Sequence, residues 1–307
     1  MATRVTVTVP TPPTEPAAAA RLDAAISAAF EIFHEVDRTC TRFDPTSALM
    51  RANASPARFH RVPAFLYEAL REAKAAHDVT GGRFDPRVLR ALVSLGYDRT
   101  LPFGEGPVQV AAPGEERRTS APAPWRPKFR AYREVRLGAE PVDLGGIGKG
   151  LAVRWGSREL SAATPSYMLE AGGDFHCAGT GPDGDAWRLG VEDPIDVGEH
   201  VAVIAVRDRS VATSSVRLRR WRAGARSAHH LIDPATGLPG GEGLCSVTVV
   251  GRDAARAEVW SKSLFLEGRA HLASLAQRRS IPALWVCEDG TVSMSDAMRP
   301  YVRWVRP

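Results

Sequence analysis

Helix-like and strand-like patterns are separated along this chain, and that separation most limits what it can fold into. Apolar residues recur at helical spacing mainly in the first third, whereas apolar runs of strand length predominate from the middle onward. The predicted helices are 17–37, 63–79, 86–95, a segment after Gly150 that ends at Leu160, and 254–266. The predicted strands are 4–9, 167–169, 186–191, 201–206, 244–250 and a short one near 283–286. Such segregation favours an α+β protein over a doubly wound array of alternating strands and helices.

The length of the chain allows a large core. With 307 residues it can form one large domain or two interleaved lobes. Residues 101–127 are rich in Gly, Pro and Ala, and we interpret them as a surface excursion.

The charge balance argues against nucleic acid as a partner. The formal net charge is 40 − 35 = +5, which is modest and spread along the chain. Five arginines lie within Arg217–Arg226. We interpret them as a solvated strand or loop face that could also accept an anionic cofactor.

The cysteines and the hydropathy pattern bear on location. Cys40, Cys177, Cys245 and Cys287 are far apart and form no CxxC motif, so we expect buried thiols in a reducing compartment. The N-terminus has no signal pattern, and no apolar stretch is long enough to span a membrane. A cytoplasmic protein without membrane insertion is therefore expected.

Two glycine motifs do not meet the requirements of nucleotide-binding fingerprints. Gly179–Gly184 matches GxGxxG, but a turn sequence and a strand-like continuation predict a hairpin there in place of a helix. Gly145–Gly150 resembles a P-loop, but Asp143 and Gly150 occupy the positions that require Gly and Ser or Thr. A glycine turn before a helix still exposes backbone amides. Lys149 could reach a phosphate from it or extend into solvent.

Six polar segments with tight turns remain. They are Thr41–Pro45, Gly81–Pro86, Asp143–Gly150, Glu170–Asp174, Thr213–Ser215 and His229–Gly237. Each alone fits an ordinary structural role, because Asp-Pro pairs commonly open turns and a His pair is commonly packed. Together they favour catalytic loops that gather at one site.

In this order the segments resemble the ApbE family of FMN transferases. The family pattern includes Ser-Arg-Phe/Tyr, Gly-Gly-x-Phe-Asp-Pro, Asp-Leu-Gly-Gly-Ile-Ala-Lys-Gly, Gly-Gly-Asp, Trp-x-Val/Leu-Gly-Ile/Val-x-Asp-Pro, Ala-Thr-Ser-Gly and His-Ile-Ile-Asp-Pro-x-Thr-Gly. The corresponding segments here are Thr41–Phe43, Gly81–Pro86, Asp143–Gly150, Gly172–Asp174, Trp187–Pro194, Ala212–Ser215 and His230–Gly237. The resemblance covers nearly the whole chain.

The resemblance implies one α+β domain over residues 1–307, with two lobes, one of them like a T-fold, and FAD between them. It implies an enzyme that transfers FMN from FAD to a Thr or Ser hydroxyl of an acceptor flavoprotein subunit. AMP is released, and Mg²⁺ assists cleavage of the FAD diphosphate.

The same resemblance assigns site residues. The cofactor-binding positions are Phe43 at the adenine, then Arg83, Phe84, Asp85, Asp143, Lys149, Gly172, Thr213, Ser214, His230 and Ile232. Lys149 would bring positive charge to the transferring phosphoryl group, and His230 or Asp233 would accept the proton of the attacking hydroxyl. The backbone of Gly146 and the side chain of Glu258 would hold Mg²⁺.

One segment departs from the family pattern. The family commonly has Ala-Asp-Ala-x-x-Thr, whose Asp and Thr bind Mg²⁺, whereas Ala257–Lys262 carries Glu258 and Lys262 at these positions. The two lie at i and i+4 on one helix face, where an ion pair is possible. A protonated lysine has no lone pair to offer a metal.

Two interpretations of this departure stay open. Either the Lys262 ammonium replaces one charge of the metal, or Glu258 still holds Mg²⁺ with waters completing the shell. Ser215 also replaces the last glycine of Ala-Thr-Ser-Gly, and Ala2 replaces the glycine of the Met-Gly-Thr with which the family pattern opens. The alternative function is therefore a relative that binds or hydrolyses FAD and has lost transfer.

Overall fold

The computed structural model describes residues 3–103, 108–110 and 123–306. Its α-helices are α1 (Pro16–Cys40), α2 (Ala48–Asn53), α3 (Ala64–Val79), α4 (Leu89–Ser94), α5 (Gly148–Ser161), α6 (Ala254–Leu266) and α7 (Gly268–Arg278). Its strands are β1 (Val5–Thr8), β2 (His60–Arg61), β3 (Gln109–Val110), β4 (Lys128–Arg130), β5 (Glu134–Arg136), β6 (Tyr167–Ala171), β7 (Asp174–Ala178), β8 (Trp187–Glu192), β9 (His200–Val206), β10 (Arg209–Ser215), β11 (Arg220–Ala223), β12 (Arg226–His229), β13 (Leu244–Gly251), β14 (Ala283–Cys287), β15 (Val292–Met294) and β16 (Val302–Val305). Short 3₁₀ helices span Ala131–Arg133 and Asp296–Tyr301.

An antiparallel sheet is the largest element of the described residues. Its strand order is β1-β6-β7-β10-β13-β14-β15. Smaller sheets have the orders β12-β11-β3, β16-β9-β8 and β2-β5-β4. Within the described ranges, β3 and β11 form the parallel pair and the other neighbours are antiparallel. The mixed, segregated architecture confirms the predicted α+β class.

Neighbouring residues of β10 show that both faces of the large sheet are covered. Val211 packs with β8, β9 and β16, whereas Ala212 packs with α6 and α7. The pleat of a strand sends successive side chains to opposite faces, so one strand contributes to two cores. A further core joins α1, α3 and α5 to β6. Each fully buried Val or Leu of these cores stabilises the fold by about 1.5–3 kcal/mol.

The start of α5 differs from its prediction in a way that concerns the site. The sequence predicts a helix after Gly150, but α5 begins at Gly148, whose N–H already donates to the carbonyl of Leu144 (2.8 Å). Lys149 therefore lies in the first turn of the helix and not in the loop that precedes it.

Other helix predictions are confirmed or corrected. The predicted helices 17–37, 63–79 and 254–266 are present as α1, α3 and α6. The helix predicted from Pro86 begins only at Leu89, because the Asp85 carboxylate accepts a hydrogen bond from Arg87 N (2.9 Å) and holds the chain in a turn. The sequence pattern does not predict helices α2 and α7 or the strands β2 to β5, β7, β10 to β12 and β16.

The hairpin predicted at Gly179–Gly184 is wrong in its pairing. A turn is present, and strand β8 follows it as predicted. However, β7 pairs with β6 and β10, whereas β8 pairs with β9 in a different sheet. The segment therefore connects two sheets and does not join two paired strands.

The described part of 101–127 is not confined to the surface. Leu101, Val108, Val110 and Trp125 are buried, and β3 extends the sheet of β11 and β12. Residues 104–107 and 111–122 lie outside the described ranges.

The cysteines agree largely with the prediction of buried thiols. The four thiols are free, and three of them are buried, whereas Cys245 is half-buried.

Candidate functional site

The glycine-rich segment Asp143–Gly150 forms a tight turn into α5. The Asp143 carboxylate closes the turn by accepting a hydrogen bond from the backbone N–H two residues later (3.0 Å). Ile147, the N-cap residue, provides no side-chain hydrogen bond, so the first N–H groups of α5 need other partners. Gly150 N donates to Glu258 Oε2 (2.8 Å). The remaining helix start is suited to an anion.

Two lysines and two carboxylates lie beside this turn, and we call Lys149, Asp174, Glu258 and Lys262 the inner cluster. Lys149 Nζ donates to Asp174 Oδ2 and lies 3.8 Å from Glu258 Oε1. Lys262 follows Glu258 by one turn of α6, and its side chain covers Gly146. A Cβ added to that glycine would lie 2.8 Å from Lys262 Cε. The structure thus brings the predicted residues Gly146, Lys149, Glu258 and Lys262 together.

Burial and mutual charge set the pKa values in the inner cluster. Burial alone would lower the pKa of Lys149, but Asp174 and Glu258 outweigh it and raise that pKa. Burial raises the pKa of Glu258 against the attraction of Lys149, and Asp174 raises it further. Burial lowers the pKa of Lys262. Glu258 opposes that shift, while Lys149 and Arg219 add to it. Lys149 therefore keeps its charge, and an anion would favour the charged form of Lys262.

Asp174 stands at the start of β7, directly after a two-glycine turn. Gly172 has φ +56°, and a Cβ there would lie 2.0 Å from Thr3 Oγ1, so only glycine fits. The turn directs Asp174 toward Lys149. The second oxygen of this buried carboxylate, Oδ1, has no hydrogen-bond partner within the described residues. Such a group is costly unless a ligand or water donates to it.

His230 lies next to the β11–β12 hairpin, one residue beyond β12. Its Nδ1 is buried and has no hydrogen-bond partner among the described residues. Burial lowers the pKa of His230 well below 6.5, and the charges of Arg219, Lys262 and His229 lower it further, against a hydrogen bond with the backbone of Arg219. The ring is therefore neutral at neutral pH and has a free nitrogen.

A second group of charged residues, which we call the outer cluster, consists of Arg83, Asp233 and Glu267. Arg83 Nε donates to Glu267 Oε1 (2.8 Å), and Arg83 Nη1 lies 3.6 Å from Asp233 Oδ1. These three residues line a cavity of about 510 Å³ together with His77, Asp85 and the turn at Gly81. Asp233 also accepts a hydrogen bond from the N–H of Ala235 (2.9 Å), which folds its loop.

Phe84 and Asp85 connect the two clusters along the chain. Phe84 is buried against the glycine turn, since a Cβ on Gly146 would lie 3.1 Å from its ring. The Asp85 carboxylate is buried and already bonded to Arg87, through Nε (3.0 Å) and Nη2 (2.6 Å). Both oxygens of Asp85 are thus used within its own loop, and the residue stabilises the shape of that loop.

Phe43 and Asp143 share a neighbour in Arg42. The Arg42 guanidinium lies 4.1 Å from the centre of the Phe43 ring and 4.2 Å from that of Tyr97. Arg42 Nε lies 3.9 Å from Asp143 Oδ1. Phe43 is 42% exposed, so one face of its ring is open to a planar ligand.

Three predicted cofactor residues occupy β10 and the loop after β12. Ser214 is buried and shares a hydrogen bond with Ser261 of α6 (2.9 Å). Thr213 points to the opposite face of the sheet and bonds Thr248 of β13 (2.9 Å). Its hydroxyl is therefore not brought to α6. Ile232 is buried and forms a bridge with Pro239.

Sequence reasoning did not single out Asp174, Arg219 or Glu267. Asp174 belongs to the Gly-Gly-Asp segment, so its position was visible but its pairing with Lys149 was not. Arg219 is one of five arginines in a short stretch, and nothing in their spacing distinguishes it. Glu267 follows α6 at a distance of 184 residues from its partner Arg83.

The residues at Gly146 and Glu258 do not fit a Mg²⁺ ion. In the part of the chain that the structure describes, no three Cys, His, Asp or Glu side chains are grouped to hold a metal. One Glu258 oxygen is bonded to Gly150 N and the other faces Lys149. The side chain of Lys262 covers Gly146 and offers no lone pair while protonated.

Among the described residues, no helix combines the length and the apolar character needed to cross a bilayer.

Comparison with known families and proteins gives consistent matches. The sequence model of the ApbE family matches residues 1–285. The chain is similar to the FAD:protein FMN transferase of Treponema pallidum (strain Nichols), with 27% identity over 303 residues, 93% of this chain and 83% of the relative. It is also similar to the protein of that name from Escherichia coli (strain K12), with 27% identity over 151 residues, 48% of this chain. That match spans less than half of the Escherichia coli protein (43%).

Solved structures match over almost the whole chain. The ApbE protein of Thermotoga maritima aligns with a TM-score of 0.81 and 24% identity, covering 98% of this chain and 96% of the other. The flavin transferase ApbE from Vibrio cholerae aligns with a TM-score of 0.74 and 22% identity, with the same coverage of 98% and 96%. These alignments establish the fold.

Proposed function

The chain belongs to the ApbE family, and from this premise we propose that it transfers FMN from FAD to a Thr or Ser hydroxyl of an acceptor protein and releases AMP. The observation that carries the proposal is the inner cluster. It contains the charged Lys149 in the first turn of α5, and the charge of its Lys262 acts on His230, whose buried Nδ1 has no hydrogen-bond partner among the described residues. These are the components that phosphoryl transfer needs, namely positive charge at the phosphate and a proton acceptor.

The proposed reaction is a displacement at phosphorus. The acceptor oxygen bonds to the phosphorus on the FMN side of the FAD diphosphate. The bond from that phosphorus to the bridging oxygen breaks, and AMP leaves with the bridging oxygen and its electron pair. The hydroxyl proton passes to a base on the protein. The acceptor then carries FMN through a phosphoester, and no oxidation or reduction occurs.

We assign Lys149 and the start of α5 to the diphosphate. Lys149 lies in the first turn, where the helix dipole favours an anion. Asp174 and Glu258 raise the pKa of Lys149 over the opposing effect of burial, so its charge is retained. The cation remains available to the phosphoryl oxygens as their charge develops.

We assign the proton transfer to His230 in preference to Asp233. A base must be unprotonated and must have a free lone pair, and the lowered pKa and unpartnered Nδ1 of His230 meet both conditions. Asp233 already accepts from Ala235 N and faces Arg83. Asp233 is the second candidate for this role.

The adenine side of FAD is assigned to the region of Phe43. The exposed ring of Phe43 is suited to stacking. Arg42 contacts this ring and also faces Asp143, the first residue of the glycine turn. Arg83, Phe84 and Asp85 would line the approach, with Gly172, Ser214 and Ile232 forming walls of the site and Thr213 a more distant contact. FAD would then lie between two lobes, one of them T-fold-like.

The reaction is tested with an acceptor protein known to be flavinylated by a relative. Incubation with FAD should release AMP, measured by chromatography, and should attach FMN to the acceptor, seen by gel fluorescence and mass spectrometry. AMP and free FMN without attachment would support the alternative, an FAD-hydrolysing protein. Bound and unchanged FAD would indicate a protein that only holds FAD. The departure at Glu258 and Lys262 is the observation that keeps this alternative in view.

We propose that the acceptor is a flavoprotein subunit that presents Thr or Ser. The same assay, repeated with different acceptor proteins, would identify it. A cytoplasmic location remains a prediction from the sequence. It is supported by the absence of disulfides among the described cysteines.

A further inference from the structure

The inner cluster contains a cation that is not neutralised by an ion pair. Glu258 faces Lys149 at 3.8 Å and accepts from Gly150 N at 2.8 Å. The ion pair between Glu258 and Lys262 that their spacing allows is not formed within the described residues. Lys262 instead lies over Gly146, at the turn that leads into α5. Its ammonium group is therefore available to a ligand at the same turn.

Arg219 is a second cation near the inner cluster. Arg220 pairs with His229 across the β11–β12 ladder, so Arg219 and His230 are neighbours at the open end of the hairpin. No carboxylate of the described residues forms an ion pair with Arg219. Beyond the effect of burial, its charge lowers the pKa values of both His230 and Lys262. The hairpin thus brings the guanidinium within electrostatic range of the inner cluster.

These two unpaired cations leave a surplus of positive charge. Lys149 is balanced by Asp174, so among these groups Lys262 and Arg219 are opposed only by Glu258, whose pKa is raised by burial. The surplus is one positive charge when Glu258 is ionised and two when it is protonated. A diphosphate is a dianion, and its transfer from water into a largely buried site is costly unless cations compensate for it. Lys262 and Arg219 provide that compensation from the protein itself.

We propose that Lys262 and Arg219 neutralise the FAD diphosphate, so that this chain binds FAD without a divalent cation. The inference rests on the proposed function, because it takes FAD as the ligand of the inner cluster. It agrees with the state of the two positions expected to bind Mg²⁺. Glu258 already accepts a hydrogen bond from Gly150 N, and the side chain of Lys262 covers Gly146. A lysine ammonium is a compact charge that can contact phosphate oxygens directly.

The test is a calorimetric titration of FAD into metal-free protein, once with a chelator and once with Mg²⁺. For the wild type we expect dissociation constants that agree within about threefold, because the charges are built in. Lys262→Met should weaken binding about 10–100-fold in chelator, the usual loss for a hydrogen bond to a charged group. Arg219→Gln should weaken it in the same direction, and Lys262→Arg should retain most of the affinity.

Lys128→Met is the matched control, since Lys128 is exposed on β4. It makes the same substitution outside the site and should leave binding unchanged. Thermal unfolding checks that each variant folds, and the Lys262→Arg variant separates loss of charge from loss of structure. Wild-type affinity that falls tenfold or more in chelator would overturn this inference while leaving FAD binding intact. Unchanged affinity of Lys262→Met would overturn it as well. Absence of FAD binding in both buffers would instead remove the proposed function itself.

Discussion

The inner and outer clusters contain the same kinds of charged group in different surroundings. In the inner cluster the Asp174 and Glu258 side chains are 1% and 5% exposed. In the outer cluster, Arg83 is 31% exposed and Glu267 18%. Removing one partner of a buried pair leaves an uncompensated charge, whereas water replaces the partner at an exposed one. Loss of one partner should therefore cost more in the inner cluster than in the outer cluster, which lines the adjoining cavity.

The largest effect is expected from replacing the proposed base. His230→Gln keeps a polar side chain but removes the basic nitrogen, so the rate of FMN transfer should fall about 10²–10⁴-fold. Asp233→Asn keeps the loop hydrogen bond and weakens only a half-exposed pair, so its loss should stay below about tenfold. Single-turnover rates at saturating FAD measure the difference. An equal loss in Asp233→Asn would move the base to the outer cluster.

The next effect concerns folding stability. Lys149→Met leaves Asp174 buried without its cation, so the free energy of unfolding should fall by about 3–5 kcal/mol. Arg83→Met removes the corresponding cation of the outer cluster and should cost only about 0–1 kcal/mol. Urea unfolding of both variants gives the comparison. The double variant Lys149→Met, Asp174→Asn should recover part of the loss, and additive losses would argue against direct coupling of the pair.

The sequence predicted most of this architecture wherever the signal was local. Helices α1, α3 and α6 follow from apolar periodicity, and the turn before α5 follows from its glycines. Short strands such as β11 and β12 do not have enough residues for a periodic signal. Their arginine-rich composition further obscured it.

The site was predictable in its segments but not in its pairings. Lys149 was identified from its glycine turn, but its partner Asp174 lies 25 residues away, and only the folding of β7 against α5 brings the two together. The i, i+4 spacing allowed a Glu258–Lys262 pair, yet Glu258 bonds to α5 instead. Local spacing shows which contacts are possible, and tertiary packing decides which of them form.

Two glycines of the segment Asp143–Gly150 allow a comparison with a smaller expected effect. A Cβ at Gly146 would meet Lys262 Cε at 2.8 Å and the Phe84 ring at 3.1 Å, whereas Gly148 has nothing within 4 Å. Gly146→Ala should therefore destabilise the fold by about 1–3 kcal/mol through overpacking. Gly148→Ala should be neutral or stabilise by up to about 1 kcal/mol. Thermal unfolding of the two variants decides this, and equal behaviour would mean that Lys262 does not lie over Gly146.

The smallest expected effect is the response of the transfer rate to pH. Burial, with the charges of Arg219, Lys262 and His229, lowers the pKa of His230 well below 6.5, although the backbone of Arg219 opposes the shift. A base works in its neutral form, so lowering the pH reduces the rate only as it passes through that lowered pKa. We expect kcat/KM to stay nearly constant between pH 8 and pH 6.5, whereas a His of ordinary pKa would be half protonated at the lower value and would lose about half of the rate.

The same shift has a consequence for stability. In the unfolded chain His230 takes up its proton near pH 6.5, whereas in the folded chain it does so only at lower pH. The free energy of unfolding therefore falls as the pH drops below 6.5.

The variant Lys262→Met removes one of the charges that lower the pKa of His230. The acid limb of the rate profile should therefore move upward toward 6.5 in that variant, while Arg83→Met in the outer cluster should leave it in place. Rate profiles of the three proteins between pH 5 and pH 8 measure this shift. An acid limb that stays fixed in Lys262→Met would show that the Lys262 charge does not act on His230. The proposed base would then not be coupled electrostatically to the inner cluster.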